Sequence, residues 1–106
     1  MFNICSLVAS DDYEKKERLY VVIEIIDDQN IKAARFYVPE QVNILPMLHC
    51  TNTNYLNPDE EIAAFAIFLK HTDINKEALN GLFRLGGMQA VYKYLNNPCQ
   101  ILEKDI

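Results

Sequence analysis

The amino-terminal part of the chain carries β-branched and aromatic residues in the alternation that predicts β-strands. The segment LYVVIEII, residues 19–26, has one mixed face that includes Glu24 and one wholly apolar face. The apolar face consists of Leu19, Val21, Ile23 and Ile25. A turn-like cluster, DDQN at 27–30, separates this segment from IKAARFYV at 31–38. The two segments therefore predict an antiparallel hairpin.

The segments on either side of the hairpin give weaker signals. FNICSLVA at 2–9 alternates well enough to predict a third strand, and the charged segment SDDYEKKER at 10–18 predicts a solvated loop. In PEQVNILPMLHC, residues 39–50, Pro46 disfavours helical geometry at the residue before it. We expect a short helix or turn there, then an irregular passage, and a polar loop in TNTNYLN at 51–57.

The clearest helix signal lies in NPDEEIAAFAIFLKH, residues 57–71. Asn57 suits the N-cap position and Pro58 the first helical position. The acidic residues 59–61 then fall in the first turn, where carboxylates interact favourably with the helix dipole, and Lys70 and His71 fall in the last turn. Because residues 62–69 are apolar almost all the way round, the pattern predicts a centrally buried helix over 58–71.

Two further helices are predicted in the last third of the chain. DINKEALNGLFRLGG, residues 73–87, ends in two glycines, of which Gly86 suits a left-handed C-terminal position. GMQAVYKYLNNP, residues 87–98, ends at Asn and Pro and repeats apolar residues at helical spacing.

These elements predict an α+β fold: a small N-terminal antiparallel sheet of about three strands packed against a C-terminal bundle of three to four helices. The apolar face of residues 19–26 would take the helix at 58–71, and the Glu24 face would meet solvent or a partner. With 106 residues, half of them apolar, the whole chain 1–106 is expected to form a single domain.

Charge and cysteine usage narrow the function class. Fifteen acidic residues against ten basic ones give a formal net charge of -5, so phosphate binding is disfavoured and no nucleic-acid partner is expected. Complementary charge would instead favour a basic protein. Three widely spaced cysteines predict free thiols in a reducing compartment. With no basic signal region and no apolar run of about 18 residues, the expectation is a cytoplasmic protein without a membrane partner.

The residue spacing does not match a known catalytic or metal-binding pattern. Consecutive acids on a helix point about 100° apart, so residues 59–61 do not converge on a metal or a substrate. P-loop, GxSxG and HExxH motifs are absent, and the Cys and His spacing fits no usual zinc site. We therefore expect no enzymatic activity, no cofactor and no metal. A dispersed pair such as Cys50 with His49 or His71 is the remaining enzymatic alternative.

Acidic clusters and tyrosines are the candidate partner-binding residues, because fixed carboxylates pair with Lys and Arg and tyrosines serve as interface anchors. Solubility alone also explains a net charge of this size. The candidates are Asp11, Asp12, Asp27, Asp28, Tyr55, Asp59, Glu60, Glu61 and Tyr94.

In its size, its acidity and its lack of a catalytic motif, the whole chain resembles bacterial toxin-immunity proteins. The resemblance implies an inhibitor that blocks a cognate toxin, typically a basic nuclease, by occluding its active site. It rests on the general profile of the chain and assigns no particular residue. Phage-encoded inhibitors of host defence share that profile. The alternative class is a structural or adaptor subunit that self-associates through an exposed sheet edge, with the oligomeric state left open.

Overall fold

The computed structural model describes residues 2–10, 19–53 and 57–96 of the chain. The chain divides into two compact units, Met1–Thr72 and Asp73–Ile106. The first unit contains a β-sheet and one α-helix, and the second contains the other α-helix. The single domain expected from chain length stays a prediction.

The sheet has five antiparallel strands in the order β4-β3-β2-β1-β5. The strands are β1 (Leu7–Ser10), β2 (Leu19–Ile25), β3 (Asn30–Arg35), β4 (Val42–Pro46) and β5 (Cys50–Asn52). A short 3-10 helix, Met47–His49, joins β4 to β5. The helices are α1 (Pro58–His71) and α2 (Lys76–Asn96).

The α+β class is confirmed, but the predicted numbers of elements are wrong. The described residues form five strands and two α-helices, not about three strands and three to four helices. The additional strands, β4 and β5, come from segments expected to be a turn, an irregular passage and a polar loop. Both are edge strands. Pro46 fits at the end of β4 because a strand that pairs on one side only can spare an N–H group.

The predicted first strand is also shorter than expected, because β1 begins only at Leu7. The N–H and hydroxyl groups of Ser6 both donate to the Asn3 carbonyl, at 3.2 and 2.6 Å, which closes a turn. Cys5 has a positive φ of 74°, a left-handed conformation that interrupts an extended chain.

The hairpin of β2 and β3 is confirmed, but a β-bulge changes its faces. Val22 lies opposite Ala33 and Glu24 lies opposite Lys32, so Ile23 is the extra residue on β2. Beyond the bulge, Glu24 therefore shares the face of Val21, and the predicted single apolar face of residues 19–25 is wrong.

Both faces of the sheet are buried near its centre. One face carries a cluster of Val8, Tyr20, Val22, Ile31, Ala33 and Cys50, against which Phe2, Leu45 and Met47 pack. The cluster contains no α1 residue, and α1 contacts β2, so α1 covers the opposite face. The face of residues 19–26 that was expected to carry Glu24 and to meet solvent or a partner is instead buried at Tyr20 and Val22.

The predicted bounds of α1 are confirmed. The Asn57 side chain accepts from the Glu60 N–H at 2.8 Å, while the Asn57 N–H donates to Glu60 Oε1 at 3.2 Å, which completes a capping box. At the other end, His71 Nε2 donates to the Pro39 carbonyl at 2.6 Å. The helix is not buried all round, however, because Ile62 is 51% exposed.

In the second unit, the range of α2 covers both segments that were predicted as separate helices, and its two helical parts meet at a kink between them. Gly87, not Gly86, has the positive φ of 70°, and it kinks the helix there. Gly86 has a different role, since a Cβ at that position would lie 2.7 Å from the Ala90 Cβ.

We expect Asn57→Ala to lower the free energy of unfolding by about 1 kcal/mol, because the Glu60 N–H loses its capping acceptor. Asn57→Asp is the matched control, since Asp caps equally well and should leave stability nearly unchanged. Urea denaturation followed by circular dichroism measures both. Equal losses in the two variants would contradict the capping role.

We expect Asn43→Val to raise the free energy of unfolding by about 1 kcal/mol. The Asn43 side-chain oxygen is buried without a hydrogen-bond partner, and the residue lies opposite Ala33 of the buried cluster. Thr51→Val, on the exposed part of the other edge strand, is the control and should change stability by less than about 0.5 kcal/mol. A loss of stability in Asn43→Val, seen by thermal denaturation, would contradict this account.

Candidate functional site

The turn between β2 and β3 is built on the Asp27 carboxylate. Its Oδ1 accepts from the backbone N–H groups of Gln29 and Asn30, at 2.8 Å each, and from Asn30 Nδ2 at 3.2 Å. The Ile26 N–H donates to the Asn30 carbonyl at 3.1 Å and closes the hairpin. Asp27 is therefore a structural residue of the turn as well as an exposed negative charge.

The same hydrogen bonds act on the titration of Asp27. The Gln29 N–H, supported by the backbone and side chain of Asn30, lowers the pKa of Asp27 below its ordinary value, against a smaller opposing effect of desolvation. The carboxylate thus stays ionised to lower pH than a free aspartate. Asp28, the next residue, is exposed, and the described hydrogen bonds of the turn do not involve its carboxylate.

An open depression of about 570 Å³ lies beside this turn. It is lined by Asp28, Gln29, Asn30, Pro46, Met47 and Leu48. Leu48 is 86% exposed, and Ile44, two residues before Pro46 on β4, is 65% exposed. We call Asp27, Asp28, Ile44, Pro46 and Leu48 the hairpin-end surface. It combines negative charge with exposed apolar side chains, as protein-binding surfaces do.

The acids at the start of α1 form a separate group. Asp59 is exposed, Glu61 is half-buried, and Glu60 is engaged in the capping box. The chain reaches α1 from β5, the edge strand on the side of the sheet opposite to β4. Asp28 therefore lies with the exposed Leu48 at the hairpin end, whereas the acids of α1 precede a single exposed large apolar side chain of the same helix, Ile62.

Four predicted binding residues are not assigned to either group. Asp11, Asp12 and Tyr55 lie outside the described residues. Tyr94 is half-buried on α2 in the second unit. These four assignments stay predictions.

Sequence reasoning missed Ile44, Pro46 and Leu48 as surface residues. The signal was present in VNILP at 42–46, where β-branched residues alternate with a polar one before a proline. Such a pattern is typical of an edge strand, since proline is confined to edges and strand ends.

The side chains of Cys50 and His71 have local structural contacts. Cys50 Sγ donates to the Pro46 carbonyl at 3.4 Å, and His71 is held by the Pro39 carbonyl. Burial raises the pKa of the Cys5 thiol to about 12, the opposite of the change that activates a nucleophile. Within residues 2–10, 19–53 and 57–96, three or more His, Cys, Asp or Glu side chains do not come together as metal ligands.

Comparison with protein-family models, with curated proteins and with solved structures finds no match to this chain. Neither α1 nor the described part of α2 has the length and apolarity that a membrane-spanning helix requires.

We expect the contribution of Asp27 to stability to disappear in acid. Because folding lowers its pKa, the contribution is fully present above the unfolded-state value of about 3.9 and is lost as the pH falls through the lower folded-state value. Asp27→Asn keeps a side-chain oxygen for the turn but cannot titrate. The difference in unfolding free energy between wild type and Asp27→Asn should be constant above about pH 5 and should shrink below it. A difference independent of pH in urea titrations would contradict this assignment.

Proposed function

We propose that the chain is a cytoplasmic binding protein that inhibits a basic protein partner, in the manner of bacterial toxin-immunity proteins. The observation that supports the proposal is the hairpin-end surface, where Asp28 lines a depression together with Pro46 and the exposed Leu48, and Asp27 precedes Asp28 in the turn. Negative charge would steer a basic partner toward this surface, and the apolar side chains would be buried on contact.

The mechanism is occlusion and needs no chemistry by this chain. A nuclease or another enzyme that acts on phosphates binds them with Lys and Arg side chains. The carboxylates of the hairpin-end surface would occupy those positions, and the rigid turn that Asp27 organises would hold them there without further ordering.

Self-association is the second candidate function. It is favoured by β4, an exposed edge strand that carries Ile44 on its surface. A second copy could extend the sheet there. It would bring together two chains that each carry a net charge of -5, which opposes assembly at low ionic strength.

The first experiment is capture of partners by tagged protein from native lysate at low and high salt, with mass spectrometry. The inhibitor proposal requires a stoichiometric basic protein that is held less tightly at high salt, and whose purified activity falls in proportion to added chain. If sedimentation shows a defined oligomer and no protein is captured, self-association replaces the inhibitor proposal.

For the purified partner, we expect Asp28→Lys to weaken binding at least about tenfold, mainly through a slower association rate. Asp73→Lys is the matched control because it makes the same charge change on an exposed acid of the second unit. It should change affinity much less. Asp59→Lys tests the acids of α1 in the same way.

Surface plasmon resonance at two salt concentrations measures all three variants. Equal effects of Asp28→Lys and Asp73→Lys would mean that only net charge matters. Unchanged binding in both Asp28→Lys and Asp59→Lys would rule out the acidic surfaces as the site of contact.

A further inference from the structure

Among the described strands, β4 lies at an edge of the sheet, and some of its backbone groups do not bond to β3. Gln41 accepts from the Arg35 N–H at 2.9 Å, and Met47 donates to the Gln29 carbonyl at 2.8 Å. In an antiparallel pair, residues that bond to the neighbouring strand alternate with residues whose N–H and C=O groups point away from it. Gln41 and Met47 both bond to the chain of β3, so the residues of β4 that bond to β3 are Asn43 and Leu45. The N–H and C=O groups of Val42 and Ile44 therefore point away from the sheet.

Pro46 sets the end of this free edge. It has no N–H group, and its carbonyl accepts from Cys50 Sγ at 3.4 Å. The edge thus presents two residues, Val42 and Ile44, each with one donor and one acceptor. That is a site for one short extended segment, with the exposed Ile44 side chain beside it.

Charge selects among possible occupants. The free edge lies between Glu40 at its start and the hairpin carboxylates Asp27 and Asp28 near Pro46. Two β4 strands paired antiparallel about a two-fold axis would place Glu40 of each copy toward the Pro46 end of the other. At the Glu40 end, however, Lys70 pairs with Glu40 at 3.6 Å and Arg35 Nη1 donates to Gln41 Oε1 at 3.2 Å, so that end is not acidic. What disfavours a second copy is the net charge of -5 on each chain.

The single basic side chain across from Ile44 does not reverse that preference. Lys32 lies opposite Ile44 of β4 and opposite Glu24 of β2. The neighbouring Glu24 carboxylate therefore offsets the positive charge that Lys32 places beside Ile44. An extended segment with Lys or Arg near the Pro46 end, beside Asp28, and an apolar residue at its centre suits the edge better than a second copy of this chain.

We propose that the partner adds a strand to β4. An extended basic segment of the partner pairs with the backbone groups of Val42 and Ile44 and packs an apolar side chain on Ile44. A Lys or Arg beyond Pro46 enters the depression beside Asp28. The inference rests on the proposed function and specifies how its partner is recognised: backbone bonds supply affinity and alternate side chains supply specificity.

The direct test is amide hydrogen exchange of the intact chain, followed by NMR. The probe is a blocked synthetic peptide of alternating Lys and Val, about seven residues long, and its Glu and Val counterpart is the control. We expect the basic peptide to slow exchange at Val42 and Ile44, and the acidic peptide to have no effect.

Two variants separate backbone pairing from side-chain contact. Ile44→Pro removes an N–H group that points away from β3, so the sheet keeps its own bonds, and binding of the basic peptide should weaken about tenfold. Ile44→Thr keeps the N–H group and a β-branched side chain, and it should weaken binding less. Thermal denaturation checks that both variants fold, and the exchange result on wild type needs no variant.

Several outcomes would overturn strand addition: exchange at β4 unchanged by the basic peptide, equal protection by the acidic peptide, or sedimentation showing that the chain alone pairs through β4. Failure of the proposed function looks different. If a basic partner is captured and Asp28→Lys weakens its binding while Ile44→Pro does not, the inhibitor proposal stands and strand addition is rejected.

Discussion

The structure of residues Met1–Thr72 depends on β2, which is bonded along both edges and buried on both faces. It pairs with β1 and β3, it is contacted by α1, and Tyr20, Val21 and Val22 are almost fully buried. Each apolar side chain buried in this way contributes roughly 1.5–3 kcal/mol, so three successive residues fix the strand in place. β1 and β3 flank β2, and the edge strands β4 and β5 have the largest share of exposed side chains.

The bulge at Ile23 resolves a conflict within β2. Continued alternation would have placed Glu24 on the face of Tyr20 and Val22, next to the buried cluster, where an unpaired carboxylate is costly. One extra residue moves Glu24 to the other face, opposite Lys32. The end of β2 is also where exposure begins, so the hairpin turn that follows stands clear of the core. The bulge thus follows from one constraint, which is that the Glu24 carboxylate cannot lie in the buried cluster.

The hairpin-end surface joins two features that have different structural origins. Asp27 is held by the turn and keeps a low pKa, while Asp28 beside it takes no part in the described bonds of that turn. The apolar part comes from β4 and the following 3-10 helix, a region of the chain far from the turn in sequence but adjacent through the pairing of Asn30 with Pro46. We propose that this hydrogen-bonded acidic turn and the neighbouring strand edge together recognise an extended basic segment.

The sequence by itself determined the elements whose signals are local. The DDQN turn between two alternating segments predicts the hairpin, and the cap and charges of residues 57–71 predict α1 to the residue, because turn and cap energies depend on neighbours within about four positions. Only the tertiary structure decided the number of strands, the bulge and the choice of exposed acids. Short strands such as β4 and β5 are stabilised by partners distant in sequence, here β3 and β1, and the burial of a side chain depends on the element that covers it. Neither property can be read from the segment alone.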